Sequence, residues 1–558
     1  MDWQKTVLIA GMAVVGWMLV IQWNQFQDEQ QEIALASTAP ITNYSSDTGT
    51  TDVFNNDNLD AELPLLEQSV LIPVEMKTPK RNLITAKNNV IEVVIDTLGG
   101  DIVSAKLLQH LDKMPNEGGK PLAILEQNNQ STYIARSGLM GPNATDTKKG
   151  RPQFSSSINR YEIQNNQEEM NVDLTLNMNG VRIVKRFQFS PNSYDISVQY
   201  LINNLTSSEF NATFYGQIKR DSLPPSGSSS GLGAQPFLGA ALREPEKNYA
   251  KYDFSDIEEE SIRTSVTGGW ITMVQHYFIS AWIPPTNDKN TYSLEKIKGQ
   301  DKYLMSFTGK PIVLDAGQSG SYEAIFYVGP KDQEELSNLA EYLDLTVDYG
   351  FLWMVGKPIF FAMKTIHGVV GNWGWSIILL TLLIKLILFP LSAASLKSMA
   401  KMRNLQPEMA RLKELYGDDR QKMSQETMSL YKKEKVNPAG GCFPMLLQMP
   451  VFLSLYWVLL ESVEIRHAPW VLWIQDLSSK DPYFILPLVM GASMFFMQKM
   501  QPMPTDPMQA KVMQFMPIGF TFLFMTFPSG LVLYWTVNNL LSMAQQWYVN
   551  SQLINKKK

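Results

Sequence analysis

Hydrophobic and polar positions divide this chain of 558 residues into two unlike parts. Residues from about 24 to 350 are mostly polar, whereas apolar stretches dominate residues from about 351 to 549. A helix of about 20 mainly apolar residues crosses the hydrocarbon core of a bilayer. We therefore predict a soluble domain followed by a membrane domain. The mean hydropathy of the whole chain, −0.13, is an average over these two parts and does not show the division.

Six apolar stretches have the length of membrane-spanning helices. They are residues 6–23, 373–392, 442–461, 483–500, 511–527 and 530–549. We interpret residues 1–23 as an uncleaved N-terminal anchor, because its apolar run is longer than that of a signal peptide. A cleaved signal peptide is the alternative, but the small-residue triplet at 34–36 lies about ten residues beyond the run.

The polar part begins with a linker and continues as a β domain. Residues 24–64 are rich in Gln, Asp, Asn, Ser and Thr, which is typical of a flexible linker. In residues 65–348, short alternating runs are separated by Gly, Pro and Asn, which indicates antiparallel strands. These runs are 90–95, 102–107, 181–189, 194–201 and 322–328. We predict an all-β sandwich.

Residues 349–371 predict an amphipathic helix at the membrane surface. Lys357, Lys364 and His367 recur at spacings of seven and three, which places them on one helical face opposite Phe, Trp and Met. Such a helix directly before a span lies in the interface plane. A packing helix of the soluble domain is the alternative.

The charges between the spans predict the orientation. Residues 397–435 carry ten Lys and Arg against six Asp and Glu, and the short tail 551–558 ends in three lysines. Positive charge favours the cytoplasmic side. Both termini are therefore predicted in the cytoplasm and the β domain outside. Within the membrane core 372–550, the segment 395–438 predicts a cytoplasmic helical hairpin.

Lys385 is the single charge in the apolar run 373–391. A lysine near mid-membrane costs about 2.5–3.5 kcal/mol on translocon scales, so it faces water or a polar cavity rather than lipid. Thr381 lies one turn before it, and the other polar candidates for the same cavity are Gln448, Tyr534, Trp535, Asn538 and Asn539. The alternatives are that Lys385 snorkels to the interface and that the amides bond between helices.

Composition excludes several functions. A net charge of −6 gives no support for nucleic-acid binding, and the single Cys442 excludes an internal disulfide. The four histidines have no paired spacing, so neither a metal site nor another cofactor is expected. A transporter would need inverted repeats, and an enzyme would need an acid, base or nucleophile cluster in the β domain; neither pattern is found.

Several motifs resemble the signature of YidC membrane-protein insertases. In the membrane part they are Lys435-Val436-Asn437-Pro438, Gly440-Gly441-Cys442-Phe443-Pro444, Leu447-Gln448-Met449-Pro450-Val451-Phe452, Asn372-Trp373-Gly374-Trp375-Ser376, Met494-Phe495-Phe496, Gln498-Lys499-Met500 and Phe527-Pro528-Ser529-Gly530-Leu531. In the outer part they are Gly269-Trp270 and Ala281-Trp282-Ile283-Pro284.

The resemblance implies an α-helical polytopic protein of six spans with a periplasmic β-supersandwich, in the inner membrane of a Gram-negative bacterium. It implies an insertase and chaperone for nascent membrane proteins, working without ATP, with the Sec translocon, its accessory subunits and the ribosome as partners. It also implies a groove open to the cytoplasm, with Lys385 where many members carry arginine. Thr381, Gln448, Tyr534 and Trp535 match groove positions.

Overall fold

The computed structural model describes residues 82–147, 150–164, 166–225, 236–416, 419–434, 443–501 and 507–555. The chain forms two compact units, Met1–Asp57 and Asn58–Lys558, and every described residue belongs to the second. The predicted anchor 1–23, the linker 24–64 and the three terminal lysines lie outside the described residues.

Two antiparallel sheets form the domain that precedes the long helices. The strands are β1 Leu83–Lys87, β2 Ile91–Asp96, β3 Asp101–Leu111, β4 Pro121–Gln127, β5 Thr132–Met140, β6 Arg160–Glu162, β7 Met170–Met178, β8 Val181–Phe189, β9 Asp195–Asn204, β10 Phe210–Arg220, β11 Gly239–Leu242, β12 Ala250–Tyr252, β13 Ile262–Thr267, β14 Ile271–Val274, β15 Phe278–Ile283, β16 Lys289–Lys296, β17 Tyr303–Leu314 and β18 Ser319–Pro330. The ten-stranded sheet has the order β13-β16-β17-β10-β5-β4-β3-β2-β1-β6, and the eight-stranded sheet has the order β12-β11-β14-β15-β18-β9-β8-β7. Among the pairings between these described strands, only the short β1–β6 pairing is parallel.

Alternation along the strands creates the sandwich core. In β8, every second residue from Val181 to Phe189 is buried, which is the period of a strand with one covered face. Phe214 of the first sheet stacks on Tyr322 of the second at 4.6 Å between ring centroids, and Trp282 is 1% exposed beside them. The two sheets therefore share one aromatic core, and the predicted β-sandwich is confirmed.

The helices follow mostly after the sheets. They are α1 Phe254–Glu259, α2 Gln333–Leu339, α3 Trp353–Val370, α4 Trp373–Ile387, α5 Phe389–Asn404, α6 Gln406–Tyr416, α7 Arg420–Lys433, α8 Phe443–Glu461, α9 Ile485–Lys499, α10 Pro507–Phe524 and α11 Ser529–Asn555. Helix α4 begins where the Asn372 side chain accepts a hydrogen bond from the Trp375 amide. Helices α6 and α7 contact each other, as the hairpin pattern predicts.

The predicted span 373–392 is not one helix. Helix α4 ends at Ile387, and α5 starts at Phe389 after a bend of 69°. Pro390 has no amide hydrogen for the carbonyl four residues earlier, and its ring crowds the preceding turn, so the first helix stops there. Lys385 consequently lies in the last turn of α4, beside the bend, rather than inside a continuous span.

No helix within the described residues has, by itself, both the length and the apolar character to cross a bilayer. The bent pair α4 and α5 passes that test when its two halves are taken together. Helix α9 and the apolar part of α10, Ala510–Phe524, are shorter than a membrane-spanning helix. The number of membrane spans therefore stays a prediction.

Helix α3 carries two kinds of surface. Lys357 Nζ lies 2.9 Å from an Asp344 carboxylate oxygen, and Lys364 pairs with Glu334, so both lysines face the end of the β domain. Met354 and Phe361 are each 72% exposed. Met354, Lys357, Phe361 and Lys364 follow at steps of three and four residues, so the lysines share the exposed side with apolar residues. The buried side carries Ile359, Phe360 and Met363. The predicted opposition of charged and apolar faces is therefore not found, and the place of the helix at a bilayer surface stays a prediction.

Candidate functional site

Helix α11 is the centre of the candidate site. It contacts α4, α5, α8 and α9, so polar groups on its surface face several helices at once. Trp535, Asn538, Ser542 and Gln545 follow at steps of three and four residues along one side of this helix. The sequence thus places a polar stripe along one side of this helix.

Lys385 meets this stripe near the bend between α4 and α5. Its half-buried ammonium donates a hydrogen bond of 2.8 Å to the Ser542 hydroxyl. Among the ion pairs between described residues, none includes Lys385. An ammonium group has three donors, so two of them have no protein acceptor in the described structure. The Lys385 ammonium is therefore held by Ser542, and its other two N–H donors are available to a ligand or to water.

Gln448 and Tyr534 come together as a second polar contact. The Gln448 amide donates to the Tyr534 hydroxyl across the α8–α11 interface. Phe452 lies beside this pair, with its ring 6.5 Å from Tyr534 and 4.5 Å from Trp535. These three predicted groove residues, Gln448, Tyr534 and Trp535, therefore share one aromatic-lined corner of the helical region.

The remaining predicted residues have other partners. Thr381 is buried and donates to the Ile377 carbonyl of its own helix at 2.6 Å, so its hydroxyl is satisfied locally. Asn539 is 1% exposed and donates to Ser493 of α9 at 3.0 Å. This is the interhelical hydrogen bond that was the alternative for an intramembrane amide. Asn538 lies on the stripe, one turn before Ser542.

Two buried polar atoms of the stripe lack hydrogen-bond partners in the part of the chain that the structure describes. They are the indole nitrogen of Trp535 and the side-chain oxygen of Asn538. A buried donor or acceptor without a partner costs about 1–3 kcal/mol. Water or a polar peptide group at these atoms would remove that cost, so the arrangement favours a hydrated groove over a dry helix interface.

Three residues of the site were missed in the sequence. Ser542, Gln545 and Ser392 are small or common polar residues, and only their spacing relative to Asn538 and Lys385 carries a signal. Gln545 donates to Ser392 of α5 at 2.6 Å. The steps of four and three residues from Asn538 to Ser542 and on to Gln545 are the periodicity that could have revealed Ser542 and Gln545.

The N-terminal ends of α4 and α11 are tied to the loop between α8 and α9. The backbone amides of Ser529 and Gly530 donate to the carbonyls of Ser479 and Leu477 at 2.7 and 2.9 Å. At the start of α4, the Asn372 amide group donates to the Pro469 carbonyl at 3.0 Å. A Cβ at Gly374 would lie 2.2 Å from the Trp470 ring, so the loop packs directly on the helix. The end of the site away from the hairpin is therefore covered.

A buried ion pair joins the β domain to the C-terminal end of α8. Lys331 Nζ lies 2.6 Å from a Glu461 carboxylate oxygen, and their side chains are 2% and 5% exposed. Nearby, His276 Nε2 donates to the Leu460 carbonyl at 2.8 Å. Burial, together with the charge of Lys331, lowers the pKa of His276 to about 3. Burial raises the pKa of Glu464 to about 7.

The part of the chain that the structure describes contains no group of three or more His, Cys, Asp or Glu that could hold a metal ion. The site consists of amides, hydroxyls, aromatic rings and one ammonium. Groups of these kinds can donate hydrogen bonds to polar chain segments and accept hydrogen bonds from them.

Known families match almost the whole described chain. Residues 83–362 match the family described as YidC periplasmic domain, and residues 365–557 match the family described as 60Kd inner membrane protein. A membrane protein insertase YidC from Cellvibrio japonicus is 49% identical over 556 residues, which covers 99% of both chains. One from Saccharophagus degradans is 48% identical over 560 residues, again with 99% of both covered. A solved structure described as an active YidC insertase with its first transmembrane domain resolved is 19% identical, with a TM-score of 0.37, and the match covers 84% of this chain and 93% of that one.

These matches define an inner-membrane protein with a periplasmic β-sandwich domain. The chain belongs to the YidC family of membrane protein insertases. It is accordingly an insertase and not an enzyme.

Proposed function

We propose that this insertase receives the hydrophilic outer segment of a nascent membrane protein in a hydrated groove lined by α4, α8 and α11. Lys385 attracts that segment, and Gln448, Tyr534, Trp535 and Asn538 supply further polar contacts. Thr381 and Asn539 belong to the walls of this groove rather than to its binding surface, because their polar groups bond to Ile377 and Ser493.

The observation that carries this proposal is the incomplete satisfaction of Lys385. A charge in a low-dielectric region is normally paired or hydrated. Lys385 has the Ser542 hydroxyl and no carboxylate partner among the described residues. A carboxylate or a peptide carbonyl on a passing chain offers what is missing.

The groove lowers the barrier by shortening the apolar path that the polar segment crosses. Leu382, Leu383 and Leu386 of α4 are 39–60% exposed, and we propose that this apolar surface faces lipid. The substrate's apolar stretch then moves into the bilayer, where each buried Leu, Ile or Phe contributes about −0.3 to −0.6 kcal/mol. The membrane potential acts on acidic residues of the outer segment at about 2.3 kcal/mol per charge per 100 mV.

The proposed topology has six spans, with both termini in the cytoplasm of a Gram-negative cell. The basic segment 397–435 and the lysine-rich tail support this orientation. The proposed domains are the anchor 1–23, the linker 24–64, the sandwich 65–348, the interfacial helix 349–371, the core 372–550 with its hairpin 395–438, and the tail 551–558. We also propose a chaperone role and transient contacts with the Sec translocon, its accessory subunits and the ribosome.

Photo-crosslinking from a stalled nascent chain tests the groove with an unmodified insertase. One chain carries the photoreactive residue in its acidic outer segment, and a matched chain carries it in the centre of its apolar stretch. We expect the first probe to crosslink to peptides that contain Lys385 or Asn538, and the second to miss them. Equal crosslinking of these peptides by both probes, or none by the first, would contradict the proposal.

A further inference from the structure

Two side-chain hydrogen bonds connect α11 to the bend between α4 and α5. Before the bend, Lys385 donates to Ser542 at 2.8 Å. After the bend, Ser392 accepts from Gln545 at 2.6 Å. The two halves diverge by 69° at Leu388. Helix α11 is therefore hydrogen-bonded to one residue on each side of the bend, Lys385 before it and Ser392 after it.

The direction of each hydrogen bond follows from the second partner of the serine hydroxyl. Ser542 has one hydroxyl proton, which it donates to the Asn538 carbonyl at 2.7 Å, so its lone pairs face the Lys385 ammonium. Ser392 likewise donates to the carbonyl of Leu388, the residue at the bend, at 2.9 Å. Since carbonyls only accept and an ammonium only donates, Ser542 can serve Lys385 only as an acceptor.

We propose that Ser542 is a positioning residue for insertion: its hydroxyl holds the Lys385 ammonium against α11 so that the remaining two N–H donors face the groove. This inference rests on the proposed role of Lys385. A lysine ammonium on a flexible four-carbon stem has no orientation of its own. In the described structure, Ser542 is the hydrogen-bond partner that supplies one.

Removal of the hydroxyl tests this position directly. Ser542→Ala deletes the acceptor and leaves Lys385 charged. For a substrate with acidic residues in its outer segment, we expect the insertion rate to fall about tenfold, since a hydrogen bond to a charged group is of that order. Insertion is measured by protease protection in proteoliposomes. Ser542→Thr keeps an acceptor at the same place and is expected to restore insertion to within about twofold.

Ser551→Ala is the matched control on the same helix. Ser551 makes the same kind of bond, from its hydroxyl to the Trp547 carbonyl four residues earlier at 2.9 Å, without any lysine. We expect this variant to insert like the unmodified protein. A substrate whose outer segment carries no charge is the second control, and its insertion should be unchanged by Ser542→Ala.

A double variant separates positioning from packing. If Ser542 acts through Lys385, then Ser542→Ala causes no further loss in a Lys385→Met background. An additive loss there, an equal loss on the uncharged substrate, or normal insertion by Ser542→Ala beside an impaired Lys385→Met overturns the positioning role alone. Normal insertion of acidic substrates by Lys385→Met would overturn the proposed groove function and, with it, the role of Ser542.

Discussion

The junction with the β domain holds a buried lysine and the proposed groove holds a half-buried one, and the two are satisfied in opposite ways. At the junction, Lys331 and Glu461 form a tight pair that is almost completely enclosed. In the groove, Lys385 has one serine hydroxyl and no carboxylate in the described structure. A paired charge contributes to holding two domains together, whereas an incompletely satisfied charge is available to a ligand. On this contrast we propose a structural role for Lys331 and a functional role for Lys385.

The largest expected effect is the loss of one partner at the junction. Glu461→Ala leaves the Lys331 ammonium enclosed without its carboxylate, which destabilises a protein by about 3–5 kcal/mol. We expect a clear drop in the thermal unfolding midpoint of the full chain in nanodiscs. The double variant Lys331→Met with Glu461→Met is the control, and it should lose less than Glu461→Ala. If the double variant is the less stable one, the pair is not the source of the effect.

A third buried lysine extends the comparison into the sandwich core. Lys185 is completely buried and donates to the Gly99 and Ser137 carbonyls at 3.0 and 2.9 Å. Burial lowers its pKa to about 7, with the charges of Asp101, Arg151 and Asp146 acting on it as well.

This lowered pKa predicts a pH-dependent stability. Between about pH 7 and 9.5, Lys185 is protonated in the unfolded chain but loses its proton in the folded one, so stability rises with pH by an amount on the order of 2 kcal/mol. Chemical denaturation at a series of pH values measures it. The raised pKa of Glu464 and the lowered pKa of His276 act at or below pH 7. Lys185→Met should abolish the slope, and a persistent slope in that variant assigns it to another group.

A smaller effect on stability is expected in the groove. Lys385→Met removes one interhelical hydrogen bond, and such bonds contribute about 0.6 kcal/mol on average in a membrane protein. The thermal midpoint should therefore change little, while insertion of substrates with acidic outer segments falls at least as far as it does in Ser542→Ala. Lys385→Arg keeps the charge and should retain insertion, whereas Lys385→Glu should lose it. A destabilisation of Lys385→Met as large as that of Glu461→Ala would remove the contrast between the two lysines.

The smallest effect is expected at the surface of α3. Lys364 and Glu334 form an ion pair whose side chains are 43% and 78% exposed. Exposed pairs contribute about 0.2–1 kcal/mol and are screened by salt. Lys364→Ala should therefore shift the thermal midpoint only slightly, and less at 1 M salt than at low salt. A shift comparable to that of Glu461→Ala would show that side-chain exposure does not determine how much these ion pairs contribute to stability.

The sequence predicts local features of this fold better than long-range ones. Alternation identified β8 and its neighbours, because a period of two is visible within a single strand. The predicted span 373–392 runs across the bend at Leu388, because apolar composition does not show how sharply the chain turns at Pro390. The pair Lys331–Glu461 joins residues that are 130 positions apart. No local pattern marks such a contact.

The candidate site was predicted through its charge and less well through its hydroxyls. Lys385 stands out because a lysine is rare in an apolar run. Thr381 and Asn539 were predicted as groove residues, but side-chain type does not reveal that their partners are Ile377 and Ser493. Ser542 was missed because serine is common in helices. Its importance depends on the packing of α11 against α4.

Access of water to position 385 tests the central claim most directly. In a Cys442→Ser background, a single cysteine replaces either Lys385 or its neighbour Leu386, which is 60% exposed on the apolar side. A membrane-impermeant maleimide is added to inverted or to right-side-out vesicles. We expect Lys385→Cys to react from the cytoplasmic side only and Leu386→Cys to react from neither side. Protection of position 385 from the cytoplasmic side, in a variant that is folded and inserted, would contradict a hydrated groove.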